Sequence, residues 1–87
     1  RMIPAGQAFL YINQNFPNIN LYTEDLRHPN KEGTYLAALM IFSSLSNKSP
    51  VGNTYIMGID PEVAEILQKV AWITYKDFQE RIMNSGL

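Results

Sequence analysis

Five prolines, at positions 4, 17, 29, 50 and 61, divide the 87-residue chain into pieces that a regular helix cannot run through unbroken. Proline lacks the N–H of the helical ladder, and its ring clashes with the preceding turn. Two of the five sit where a helix begins. Pro4 and Pro61 each precede an apolar periodic run, and a first-turn N–H would be unpaired there in any case. Pro17 has the opposite effect: it biases Phe16 toward extended backbone and ends the first helix at about Asn15 or Phe16. Pro29 and Pro50 fall in polar stretches that read as connections.

Three helical patterns emerge between these marks, and neither an internal repeat nor a low-complexity stretch separates them. The first carries Ala8, Phe9, Tyr11 and Ile12. Ile19 to Tyr22 is a short extended candidate, and Thr23 to Asn30 is an irregular polar loop. Asn30 suits the N-cap of a second helix starting at Lys31, with Tyr35, Leu36, Ala38, Leu39, Ile41, Phe42 and Leu45 apolar on almost every side. Such a helix calls for burial on more than one face. Lys48, Ser49 and Pro50 mark the next turn. Asp60 caps the third helix; Val63, Ile66, Leu67, Val70, Ala71, Ile73, Phe78 and Ile82 form its apolar face. Glu65 with Lys69 and Lys76 with Glu80 have the spacing of surface pairs, and Gly86 stands at a natural stop. The expected fold class is mainly α: three helices with at most one short strand, in a single segment spanning 1–87.

Composition narrows the functional classes. With 46% hydrophobic residues the chain has the means to build a core, yet at 87 residues burial and ordering entropy nearly cancel. Chains of this size often lean on staples or partners. The absence of cysteine excludes disulfides, thiolate zinc sites and a cysteine nucleophile. Seven Lys and Arg against eight Asp and Glu give a net charge of −1 without a basic run, so the footprint of a nucleic-acid binder is missing. The longest apolar run, Leu36 to Phe42, falls far below the roughly 20 residues of a membrane span. Arg1 precedes Met2, which leads us to expect a chain trimmed at its front; the compartment stays open, with secreted and periplasmic locations both compatible.

One constellation carries chemistry: Asp25 and His28, three residues apart in the loop before the second helix. A neutral histidine is a competent general base near pH 7, and a carboxylate on one ring nitrogen fixes its tautomer and stabilises the imidazolium. A loop of this length can curl back so that Asp25 reaches His28, while Pro29 holds the His28 backbone extended. The same spacing also serves a purely local cap. On spacing alone both readings stand.

The wider string LYTEDLRHPNKEGTYLAALMIFSSLSNKSPVG resembles the last block of the SGNH hydrolase superfamily, the GDSL esterases and lipases. The likeness rests on Asp25-x-x-His28-Pro29, the polar helix start, Gly33 and the apolar helix that follows. Gly33-Thr34-Tyr35-Leu36-Ala37-Ala38 looks like a bacterial branch of that family in which MGIDPEVAEILQKVAWITYKDF forms a C-terminal helix. Ile3-Pro4-Ala5-Gly6 is similar to the segment leading into the block, so the resemblance covers most of the chain. It implies His28 as the base that deprotonates a serine and Asp25 as the residue that orients His28. It further implies the C-terminal part of a three-layer α/β sandwich, ester substrates that are often acetylated carbohydrates or lipids, and no metal or organic cofactor.

The family's nucleophile lies in an upstream Gly-Asp-Ser motif, and its oxyanion hole draws on that serine and on two further upstream blocks; this chain has none of them. Ser43, Ser44, Ser46, Ser49 and Ser85 all lack that setting. Ser43 and Ser44 read as surface or back-bonding residues near the end of the second helix. Alone, the chain is expected to be catalytically silent, with the upstream part of the domain or a second copy covering the second helix. The other reading is a small non-catalytic helical interaction module in which Asp25 and His28 tie down a turn. Trp72, Tyr75 and Phe78 read as core or interface before sugar stacking, and Tyr11, Tyr22 and Tyr35 as packing with a hydroxyl at the rim. Arg27 reads as a solvated loop residue before an anion contact.

Overall fold

A computed structural model of the chain describes residues 4–23 and 29–84. Three helices account for most of these: α1 (Ala5–Asn15), α2 (Lys31–Ser46) and α3 (Pro61–Asn84). The mainly helical fold class is therefore as the sequence predicts. No described helix is long and apolar enough to cross a membrane.

Pro4 takes the capping position just outside α1, its carbonyl accepting from the Ala8 N–H at 3.4 Å. At the other end the Phe16 N–H closes on the Ile12 carbonyl at 2.8 Å, and Pro17 ends the run. Ala8 and Ile12, one turn apart, are fully buried and fix the inward face of α1. Asn47 ends α2 in the left-handed conformation at φ 55°, its N–H donating to the Ser43 carbonyl. Asparagine is one of the few side chains that tolerates that geometry.

α2 packs against both α1 and α3, and α1 also touches α3, so the core is a wedge between all three. Its largest fully buried apolar side chains are Ile12, Leu21, Leu36, Met40 and Leu67, each worth about 1.5–3 kcal/mol of burial. α2 is buried along Tyr35, Leu36, Leu39, Met40 and Ser43, and its opposite side, Ala38, Ile41, Phe42 and Leu45, faces outward. Leu45 is 69% exposed.

Several local expectations change. Ile19 to Tyr22 forms no strand; Tyr22 makes an isolated antiparallel bridge with Pro29. Proline cannot donate to a ladder, so the pairing stops at one bridge. The turn starts at Pro50, two residues later than the Lys48-Ser49-Pro50 reading, with the Asn53 N–H donating to the Pro50 carbonyl at 3.1 Å and Gly52 at φ 90°. Glycine at the third turn position makes this register the unstrained one. On α3 the buried face runs through Ala64, Leu67, Gln68, Val70, Ala71, Thr74 and Tyr75, while Ile73 is 55% and Ile82 39% exposed. Lys69 and Glu65 pair at 3.1 Å as expected. Lys76 lies over the Trp72 ring instead of reaching Glu80, and Asp77 pairs with Arg81 at 3.1 Å. Gly86 lies outside the described residues.

Gln68 is the polar tie of the core. Its Nε2 donates to the Tyr35 hydroxyl at 2.9 Å and to the Asn53 carbonyl at 3.1 Å, and its Oε1 accepts from the Gly52 N–H at 3.0 Å. The Tyr35 hydroxyl in turn donates to the Tyr55 carbonyl at 3.0 Å. The connection between α2 and α3 is thereby fastened to both helices through satisfied hydrogen bonds.

Candidate functional site

Asp25, Arg27 and His28 lie outside the described residues, so the site is built from the two chain segments that bracket them. Those segments meet. Tyr22 and Pro29 form the antiparallel bridge, and the Asn30 N–H donates to the Leu21 carbonyl at 2.9 Å. The segments on either side of residues 24–28 thus form a closed stem.

Asn30 fixes this stem to α2. Its side-chain Oδ1 accepts from the Gly33 N–H at 2.9 Å, the cap read from the sequence, and its Nδ2 donates to the Asn20 carbonyl at 2.7 Å. Gly33 lets the stem and helix approach one another. A Cβ at this position would fall on the Leu21 carbonyl oxygen and come within 2.9 Å of the Pro29 Cβ. Leu21, fully buried, anchors the incoming arm in the core, and the Tyr22 ring packs 5.8 Å from that of Phe9 on α1. On the far side Lys31 Nζ reaches the Gly58 carbonyl at 3.3 Å, joining the start of α2 to the α2–α3 connection.

An open groove flanks the stem, lined by Ala5, Phe9, Leu10, Asn13, Tyr22 and Ala37. Its walls are mostly apolar, with Asn13 as a polar lining group. Such a surface packs hydrocarbon and offers no nucleophile of its own.

Of the two settings read for Ser43 and Ser44, surface or back-bonding, the surface one does not hold. Ser43 and Ser44 are buried, at 0% and 2% exposure, because they share the α2 face that packs inward with Leu36 and Met40. The Ser43 hydroxyl has no hydrogen-bond partner there. Ser46 Oγ donates to the Phe42 carbonyl at 2.6 Å, and Ser49 Oγ accepts from the Val51 N–H at 3.2 Å. Ser85 lies outside the described residues. Among the tyrosines, Tyr35 is buried and hydrogen-bonded, Tyr22 half-buried and Tyr11 40% exposed. Trp72 packs 5.9 Å from the buried Tyr75, and Phe78 is half-buried beside them on α3, in keeping with a packing role for these aromatics.

Sequence reasoning identified the cap at Asn30 and missed its second hydrogen bond, because the Asn20 carbonyl is ten residues away across the loop. It also missed Gln68, whose partners come from two separate parts of the chain, Tyr35 on α2 and the neighbours Gly52 and Asn53 in the α2–α3 connection. No family model, curated protein or solved structure matches this chain.

Proposed function

We propose that this chain is the C-terminal segment of a serine ester hydrolase of SGNH type, in which His28 is the general base and Asp25 the residue that orients it. The carrying observation is the Asp25-x-x-His28-Pro29-Asn30 string in its setting, a polar loop on a closed stem that runs directly into a capped helix. A base and its orienter must be held in a productive geometry, and a stem closed on both sides of residues 24–28 is in keeping with that need. The serine and the oxyanion donors belong to the upstream part of the domain. Each such donor is typically worth about 10²–10³ in rate, so the segment by itself is inactive. The substrates are esters, with acetyl esters of carbohydrates the leading class, and the reaction needs no metal or organic cofactor. The outward face of α2, through Ala38, Ile41, Phe42 and Leu45, is the surface that the rest of the domain would cover.

A second reading, a non-catalytic helical interaction module, draws on the fact that the three helices already close a core around Ile12, Leu36, Met40 and Leu67. The coding sequence preceding Arg1 separates the two. The hydrolase reading expects a Gly-Asp-Ser motif about 100–200 residues before Asp25, within the usual size of one domain. A reading frame that starts close to Met2 would contradict it.

A further inference from the structure

One face of α1 has residue types that read the same in both directions. Gln7, Leu10, Tyr11 and Gln14 follow the i, i+3, i+4, i+7 spacing of a single helical stripe, amide at both ends and apolar between, and all four are exposed. The stripe is distinct from the face bearing Ala8 and Ile12, which fill the core. It leaves Leu10 55% and Tyr11 40% exposed, as one wall of an open groove whose other wall is α3. From α3 the groove receives Ile73, itself 55% exposed, and the mutually neutralising Asp77 and Arg81 at 3.1 Å.

We propose that this face is a two-fold contact through which two copies of the chain associate, α1 packed antiparallel to α1. Across a two-fold axis residue i meets residue j and j meets i. With the axis between Leu10 and Tyr11, Leu10 lies against Tyr11 of the second copy and Gln7 against Gln14 of the second copy, each pairing made twice. A side-chain amide carries both a donor and an acceptor, so a Gln–Gln pair satisfies itself. A charge beside such an axis would face its own like, at a cost; Ala5–Asn15 carries none. An apolar centre with polar flanks is also the anatomy of a protein interface. The outward stripe of α2, Ala38, Ile41, Phe42 and Leu45, has no such polar flanks. Because α1 has only 11 residues, about 16 Å of helix, the contact falls at the small end of interfaces and gives a weak, reversible dimer. The proposal goes beyond the esterase reading and does not depend on it.

Sedimentation equilibrium of the chain over about 1 μM to 1 mM tests it, with two charge variants that read the pairing itself. Gln7→Glu with Gln14→Glu sets like charges against each other in the antiparallel register, as does Gln7→Lys with Gln14→Lys. Each double variant should dimerise at least about 10-fold more weakly than the parent, and an equimolar mixture of the two should recover dimers of mixed composition. A parent that stays monomeric throughout this range would overturn the proposal, as would double variants that self-associate like the parent or a mixture that fails to recover. Association abolished by Leu45→Lys but kept in the double variants would place the contact on α2 and equally overturn it. Thermal unfolding of each variant checks its fold; should a double variant not fold, Leu10→Ser decides, and dimerisation at parental strength in that variant refutes the contact.

Discussion

Gly33 and Gly6 show how differently one residue type can be constrained. Both lie in helices, where alanine is favoured over glycine by about 1 kcal/mol. A Cβ at Gly6 would meet nothing within 4 Å, whereas one at Gly33 would strike the Leu21 carbonyl and the Pro29 ring, the first of them backbone that cannot rotate away. Gly6→Ala should therefore raise stability by up to about 1 kcal/mol, and Gly33→Ala should lower it by about 1–3 kcal/mol, the usual cost of overpacking. Denaturant unfolding of the two variants checks this, and equal shifts for both would refute the close approach. At this scale the sequence was legible wherever the partner is local. The caps at Asn30 and Asp60 bond residues two or three positions ahead, with the Glu62 N–H reaching Asp60 Oδ1 at 2.9 Å. The reason for Gly33 was hidden because its neighbour, Leu21, arrives from across the loop.

Among the elements, α2 was the least readable in its orientation although its extent was clear from Asn30 onward. Apolar residues surround it, so the pattern contains no stripe to mark the inner side. The contacts with α1 and α3 choose the side bearing Leu36, Met40 and the two serines Ser43 and Ser44, which is why these serines, read as surface or back-bonding residues, are buried. Leu36 at 0% and Leu45 at 69% exposure are therefore inequivalent despite their shared chemistry. Leu36→Ala should cost about 2–5 kcal/mol, and Leu45→Ala should stay within about 0.5 kcal/mol in this chain. Comparable losses at both positions would reverse the assignment of inner and outer faces. α3 shows a milder form of the same effect. Its cap and start were readable, but Ile73 and Ile82 turned outward and Gln68 and Thr74 inward; for Gln68 the connection between α2 and α3 supplies polar partners that hydrophobic spacing does not register.

For the whole molecule, the three helices form a small core, and the loop stem is built into its edge through Leu21 and Gly33. The fold class followed from the prolines and apolar spacing, whereas the stem depends on a meeting of Asn20, Leu21 and Tyr22 with Pro29 and Asn30 that no periodic pattern encodes. This arrangement brackets a segment that carries two carboxylates, Glu24 and Asp25, and the single histidine of the chain. The account stands on His28 acting as a general base in ester hydrolysis. Its most direct test is kcat/KM for an acetyl ester, measured on the full-length product and on its His28→Ala variant. We expect a loss of about 10³-fold or more, as when the base of a serine triad is removed; a variant that hydrolyses the ester as fast as its parent would contradict the account.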